Sequence, residues 1–272
     1  MIKYDVIMND IKLSNSEIAK RFKKYMDLEY KPLGMYFSDK LPDGKIRKQG
    51  MIFGRCIVGH VFKSSKKGGS SIIKEGGGCP GGQFWSGFRK KMPRGWAYFI
   101  THGRDDILGG RAEHFKKDTK VAMEVVRDPG PLKLPEGSKY IVYRRLGKIA
   151  DTQKIEFVLF FVDPNDMAKL ISLLNYGRNV PYAIKAAAGS GCMSLINFPM
   201  KMKEKPEVDG VMGIWDPFAR KNIPKSILSL SLRRWIVEEM AMNMPESFLA
   251  YTPPFTIKGE ILRFFRKKIL RK

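Results

Sequence analysis

Ile155-Glu156-Phe157-Val158-Leu159-Phe160-Phe161-Val162-Asp163-Pro164-Asn165-Asp166-Met167-Ala168-Lys169-Leu170-Ile171-Ser172-Leu173-Leu174-Asn175-Tyr176-Gly177 holds a strand, a cap and a helix in one run. Residues 155–162 are nearly all apolar, as a strand covered on both faces must be. Asp163 suits the N-cap, and Pro164 suits the first helical position, where an N–H would have no intrahelical partner. Met167, Leu170, Ile171 and Leu174 then recur at helical spacing, and Gly177 stops the helix. The run predicts a β–α unit.

On its N-terminal side, Ser14 and Glu17 have capping-box spacing and open a helix expected to run to about Leu28, with Ile18, Phe22 and Met26 on one face and Pro32 ending it. Leu33–Phe37, Ser71–Lys74, Trp96–Thr101 and Tyr140–Arg144 read as strands. Met51–Phe62 reads as a short helix carrying Cys56, Gln83–Lys91 as the start of another, and Thr119–Arg127 as a third, with Lys40–Gln49 a loop. On the C-terminal side, Val208–Trp215 and Ile227–Leu232 read as strands and Trp235–Met244 as a helix. Strands and helices mix without strict alternation, which predicts an α+β fold: a mixed sheet flanked by helices. The expected organisation is one large domain, residues 1–255, and a basic amphipathic helical tail, residues 256–272.

Composition narrows the function. A chain of 272 residues with 43% hydrophobic content buries a core without disulfides, which excludes a disordered or disulfide-framed protein. Its three cysteines, Cys56, Cys79 and Cys192, are odd in number and far apart, as free thiols in a reducing compartment are, so the expected location is the cytoplasm. The opening residues, Met1-Ile2-Lys3-Tyr4-Asp5-Val6, do not read as a secretory leader, and no apolar run approaches the length of a membrane span. The net charge of +23 attracts polyanions: an acidic protein, an anionic membrane surface or nucleic acid, the last ranked third for want of a motif. It also serves solubility alone.

All three cysteines lie beside glycines: Gly54-Arg55-Cys56, Gly76-Gly77-Gly78-Cys79-Pro80-Gly81-Gly82 and Gly189-Ser190-Gly191-Cys192. Thiolates are soft ligands for zinc or iron–sulfur clusters, and successive amides in glycine turns form concavities that hold anions or cluster sulfides. No Cys-x-x-Cys pair occurs, which speaks against a structural zinc site. The expectation is an iron–sulfur cluster of the four-iron kind, ligated by Cys56, Cys79 and Cys192, with Gly77, Gly78, Gly81, Gly189 and Gly191 shaping the loops. Its fourth position would be open to a small-molecule ligand or to chemistry with a redox partner. Cys192 is expected to start a helix and to have a lowered pKa there. His60, four residues after Cys56, is a candidate neighbour of the site. The plain alternative is that the cysteines are small buried hydrophobes. The glycine cluster 76–82 also suits a flavin or nucleotide phosphate, although it matches neither standard phosphate-loop spacing.

The same segments, together with Phe161-Val162-Asp163-Pro164, resemble in order the uncharacterised ArCR group, domain of unknown function 169, over roughly Lys31 to Tyr251. The resemblance implies cysteines at the positions of Cys56, Cys79 and Cys192 and assigns no activity. The basic excess and the basic tail depart from its pattern, so partners do not carry over. In that tail, Ile261, Leu262, Phe264, Phe265 and Ile269 share one helical face and Arg263, Arg266, Lys267 and Arg271 the other. Such a helix docks on an acidic protein or at the periphery of an anionic membrane, or packs on its own domain.

Overall fold

In the computed structural model, residues 13–47, 56–102 and 114–251 are described. In chain order the elements are α1 (Asn15–Tyr25), β1 (Leu33–Ser38), β2 (Ile46–Arg47), α2 (Ile57–Lys67), β3 (Ser70–Ile73), α3 (Pro80–Trp85), α4 (Trp96–His102), α5 (Thr119–Arg127), β4 (Tyr140–Arg145), β5 (Phe157–Val162) and α6 (Pro164–Leu174). There follow β6 (Ile184–Ala186), a π-helical turn (Met193–Asn197), α7 (Phe198–Lys201), β7 (Gly210–Gly213), α8 (Pro217–Arg220), β8 (Leu228–Leu232), α9 (Arg234–Asn243) and α10 (Phe248–Tyr251).

The eight strands form one mixed sheet in the order β2-β3-β4-β1-β5-β8-β7-β6. Its two outermost pairs, β2 with β3 and β6 with β7, are parallel, and all other pairings are antiparallel. This is the α+β arrangement that the mixed order of elements predicts. β5 lies inside the sheet and every one of its residues is buried. Val158, Phe160 and Val162 pack in one core with Ile18 and Phe22 of α1, Leu170 and Leu174 of α6, and Ile236 and Met240 of α9. Phe157, Leu159 and Phe161 face the opposite core, with Ile57, Val58 and Val61 of α2, Phe84 and Trp85 of α3, and Cys192. The apolar run 157–162 thus reports two covered faces. The Asp163 side chain accepts from the Asp166 amide at 2.8 Å and starts α6 as expected.

The capping box at Ser14 and Glu17 is present, but α1 ends at Tyr25, well before Pro32. Asp27, at φ +44°, turns the chain out of the helix. The expected strand Trp96–Thr101 is instead the helix α4. A short apolar run fits either period, and here i,i+4 contacts decide it. Thr101 Oγ1 donates to the Ala97 and Tyr98 carbonyls at 2.8 and 3.0 Å, and the Tyr98 and His102 rings stack at 4.7 Å. The helix expected at Gln83–Lys91 begins earlier, because Cys79 caps it and Pro80 takes its first position. It ends before Gly87, whose positive φ and close approach to the Leu132 carbonyl break the turn. The expected loop 40–49 holds β2, and the helix expected at 51–62 starts at Ile57 and runs to Lys67, with residues 48–55 outside the described residues. The tail, with Arg263, Arg266, Lys267 and Arg271, also lies outside them.

Candidate functional site

The three cysteines share one place in the fold although their segments are far apart in sequence. Each stands at the start of a helix on the same face of the sheet. Cys56 is the N-cap of α2, Cys79 is the N-cap of α3, and Cys192 opens the turn that becomes the π-helical Met193–Asn197. Helix starts carry unpaired amides and the positive end of the helix dipole, so they gather anionic sulfur.

Close packing holds these helix starts together. A Cβ on Gly191 would lie 2.4 Å from Ala219 Cβ of α8 and 2.7 Å from Val58 Cγ2 of α2, so only glycine admits this approach. A Cβ on Gly82 would lie 2.6 Å from Ile57 Cδ1, which seats the start of α3 on the start of α2. Asp216 ties the cluster from the side. Its carboxylate caps α8 by accepting from the Phe218 and Ala219 amides at 2.8 and 3.3 Å, and it accepts from the Gly191 amide at 3.0 Å. Tyr143, fully buried on β4, donates to the Leu195 carbonyl inside the π-helical turn at 2.7 Å.

The sulfurs are unequal. The Cys192 thiol donates a hydrogen bond to the Cys79 sulfur, and this is the main reason that the Cys79 pKa falls to about 6 despite burial. The Gly82 amide, 3.3 Å from Cys79 Sγ, and the Gly81 amide add to the effect. The same bond holds Cys192 in its thiol form, with its pKa well above the ordinary value; burial and the charges of Cys79, Cys56 and Asp216 act in the same direction. This corrects the expectation of a lowered pKa at Cys192: its helix start is outweighed by donation to a neighbouring thiolate in a dry site. Burial pushes Cys56 up to about 11, against the pull of the Gly59 and Val58 amides. The Tyr143 phenol is driven well above its usual range by burial first and by Cys192 second. The directions within the site are opposed: Cys79 is drawn toward the thiolate, and Cys56 and Cys192 are pushed toward the thiol.

The loop before Cys79 is pinned rather than open. Gln83 accepts from the Gly76 amide at 2.9 Å and donates to the Lys74 carbonyl at 2.8 Å and to the Gly77 carbonyl. Gly78, at φ +81°, makes the turn into the cap. Gly81 supplies an amide to the sulfur, whereas Gly189 makes room for Phe198, 2.9 Å from where its Cβ would be. The amides of the glycine cluster thus go to Gln83, to Lys74 and to sulfur. His60 is buried one turn into α2, with its amide on the Cys56 carbonyl at 3.1 Å and its carbonyl accepting from Ser71. The influences on the sulfurs are the Cys79–Cys192 pairing, burial and backbone amides, with Asp216 a smaller one at Cys56 and Cys192. Among the described residues no group of three or more His, Cys, Asp or Glu side chains is arranged so that it could hold a metal ion.

The family model for DUF169, uncharacterised ArCR, matches residues 21–243, most of the chain and all three cysteines. The chain belongs to DUF169. No curated protein and no solved structure matches it. The DUF169 region stops short of the basic tail at 256–272. No helix among the described residues is long and apolar enough to cross a membrane.

Gln83, Asp216 and Tyr143 support the site, and sequence reading did not single them out. Asp216-Pro217 repeats the cap grammar of Asp163-Pro164, a usable sign of the helix start but not of the tie to Gly191. A tyrosine inside the strand 140–145 signals a hydroxyl in need of a partner, without naming Leu195. Nothing local marks Gln83.

Proposed function

We propose that the chain is a cytoplasmic metal–thiolate protein in which Cys56, Cys79 and Cys192 hold an iron–sulfur cluster, with the fourth position of a four-iron cluster left for a small ligand or redox partner. The observation that carries this reading is the convergence of all the cysteines of the chain at three helix starts. At Cys79 the Gly81 and Gly82 amides favour the anionic sulfur that a metal ligand needs. Such a cluster supplies one-electron transfer or a Lewis-acidic iron. The residues of the chain offer ligands and tuning: the Gly81 and Gly82 amides donate to Cys79 sulfur, and N–H···S bonds of this kind raise cluster potentials. Ligation requires the Cys79–Cys192 hydrogen bond to give way to bonds from both sulfurs to iron.

That same hydrogen bond supports a second reading, a two-thiol redox couple. Oxidation of the Cys79 thiolate and Cys192 thiol to a disulfide releases two electrons and one proton, and a small-molecule disulfide that takes them up becomes one thiol and one thiolate, the latter protonated by solvent.

One preparation separates the readings. Protein made and purified without oxygen is expected to be brown and to contain iron and sulfide. Serine at Cys56, Cys79 or Cys192 should each diminish the visible absorbance. A colourless, metal-free sample overturns the cluster, and a Cys79–Cys192 disulfide that still forms reversibly in Cys56→Ser supports the couple.

A further inference from the structure

A groove of about 330 Å³ lies at the β6–β7 edge of the sheet. Its floor is apolar, from Val125, Met193, Phe198, Met202, Val208 and Val211. Lys185, Lys201 and Lys205 also line it, and Asp128 is the lone carboxylate there. That carboxylate is 3.7 Å from the Lys201 ammonium, and its side chain is 94% exposed, so the pair is weak. Among the described residues Lys185 and Lys205 have no ion-pair partner.

We propose that this groove binds a small molecule with an apolar body and a single anionic end, a carboxylate or a phosphate ester. Apolar floor and unpaired cations are the two halves of such a ligand's complement: the floor removes the body from water, and the lysines orient the charged end. At about 30 Å³ per water, the volume corresponds to on the order of ten non-hydrogen atoms, the size of a medium-chain acid. A neutral ligand leaves the lysine cluster unmatched, and a polyanion leaves the floor unmatched. Ala187, Ala188 and Met193, which line the groove, flank Cys192 in the sequence. The binding itself does not depend on what the thiols hold.

The test is calorimetric titration of the full chain with octanoate and with octan-1-ol, which share a body and differ in charge. Octanoate is expected to bind one site on the order of tenfold more tightly than the alcohol, with that advantage shrinking at high salt. Lys185→Glu with Lys205→Glu should remove the preference, since both side chains are at the surface and their replacement leaves the core intact. Ala188→Trp, from an exposed lining position, should block both probes. Equal binding of the two probes, unchanged binding in the double-glutamate variant, or unchanged binding in Ala188→Trp would each overturn the proposal. None of these outcomes bears on iron content.

Discussion

Replacing Cys192 with alanine removes the hydrogen bond that most favours the Cys79 thiolate. With a pKa of about 6, Cys79 is about nine-tenths ionised at pH 7, whereas a thiol at the ordinary 9.0 is about 1% ionised. That is a roughly ninety-fold difference in thiolate. Intrinsic nucleophilicity falls with pKa at a Brønsted slope of about 0.4–0.5, so each thiolate at the lower pKa is about twenty-fold less reactive. The net advantage at pH 7 is therefore only about four- to five-fold, and the informative quantity is the pH profile. In metal-free, reduced protein, the iodoacetamide alkylation rate of Cys79, followed by peptide mass spectrometry, should rise through a midpoint near pH 6 and be level above about pH 7. In Cys192→Ala the midpoint should move up toward the ordinary thiol value and the plateau rate should rise. Cys192→Ser, which retains a donor, should keep the low midpoint. A wild-type midpoint near 9, or one that Cys192→Ala leaves in place, refutes the thiol–thiolate pairing.

Gly191→Ala puts a Cβ 2.4 Å from Ala219 Cβ, and neither atom can rotate away. Overpacking of this kind costs about 1–3 kcal/mol, to be read as a lower melting temperature of roughly 2–4 °C per kcal/mol, and a melting temperature equal to wild type would show that the helix starts are not tightly packed. Tyr143→Phe leaves the Leu195 carbonyl without its buried donor and should lower denaturant stability by about 1–3 kcal/mol at unchanged m-value. A neutral result would mean that water replaces the hydroxyl.

Much of the fold was legible because its signals are local. The Ser14–Glu17 capping box, the Asp163-Pro164 helix start and the apolar run 157–162 each rest on neighbours within about one turn or one strand, where covalent geometry already dictates what touches what. Trp96–Thr101 was misread for the same reason, since a short apolar run satisfies both periods and only its packing partners choose between them. The cysteines could be named as candidates from their glycine neighbours. Their meeting could not be read from the chain, because it depends on Val58, Gly191 and Ala219 coming into contact from three separate elements. The identity of the ionised thiol was further out of reach. The downward shift at Cys79 comes first from its pairing with Cys192 and is opposed by burial, both properties of the packed interior, so only the tertiary structure decided it.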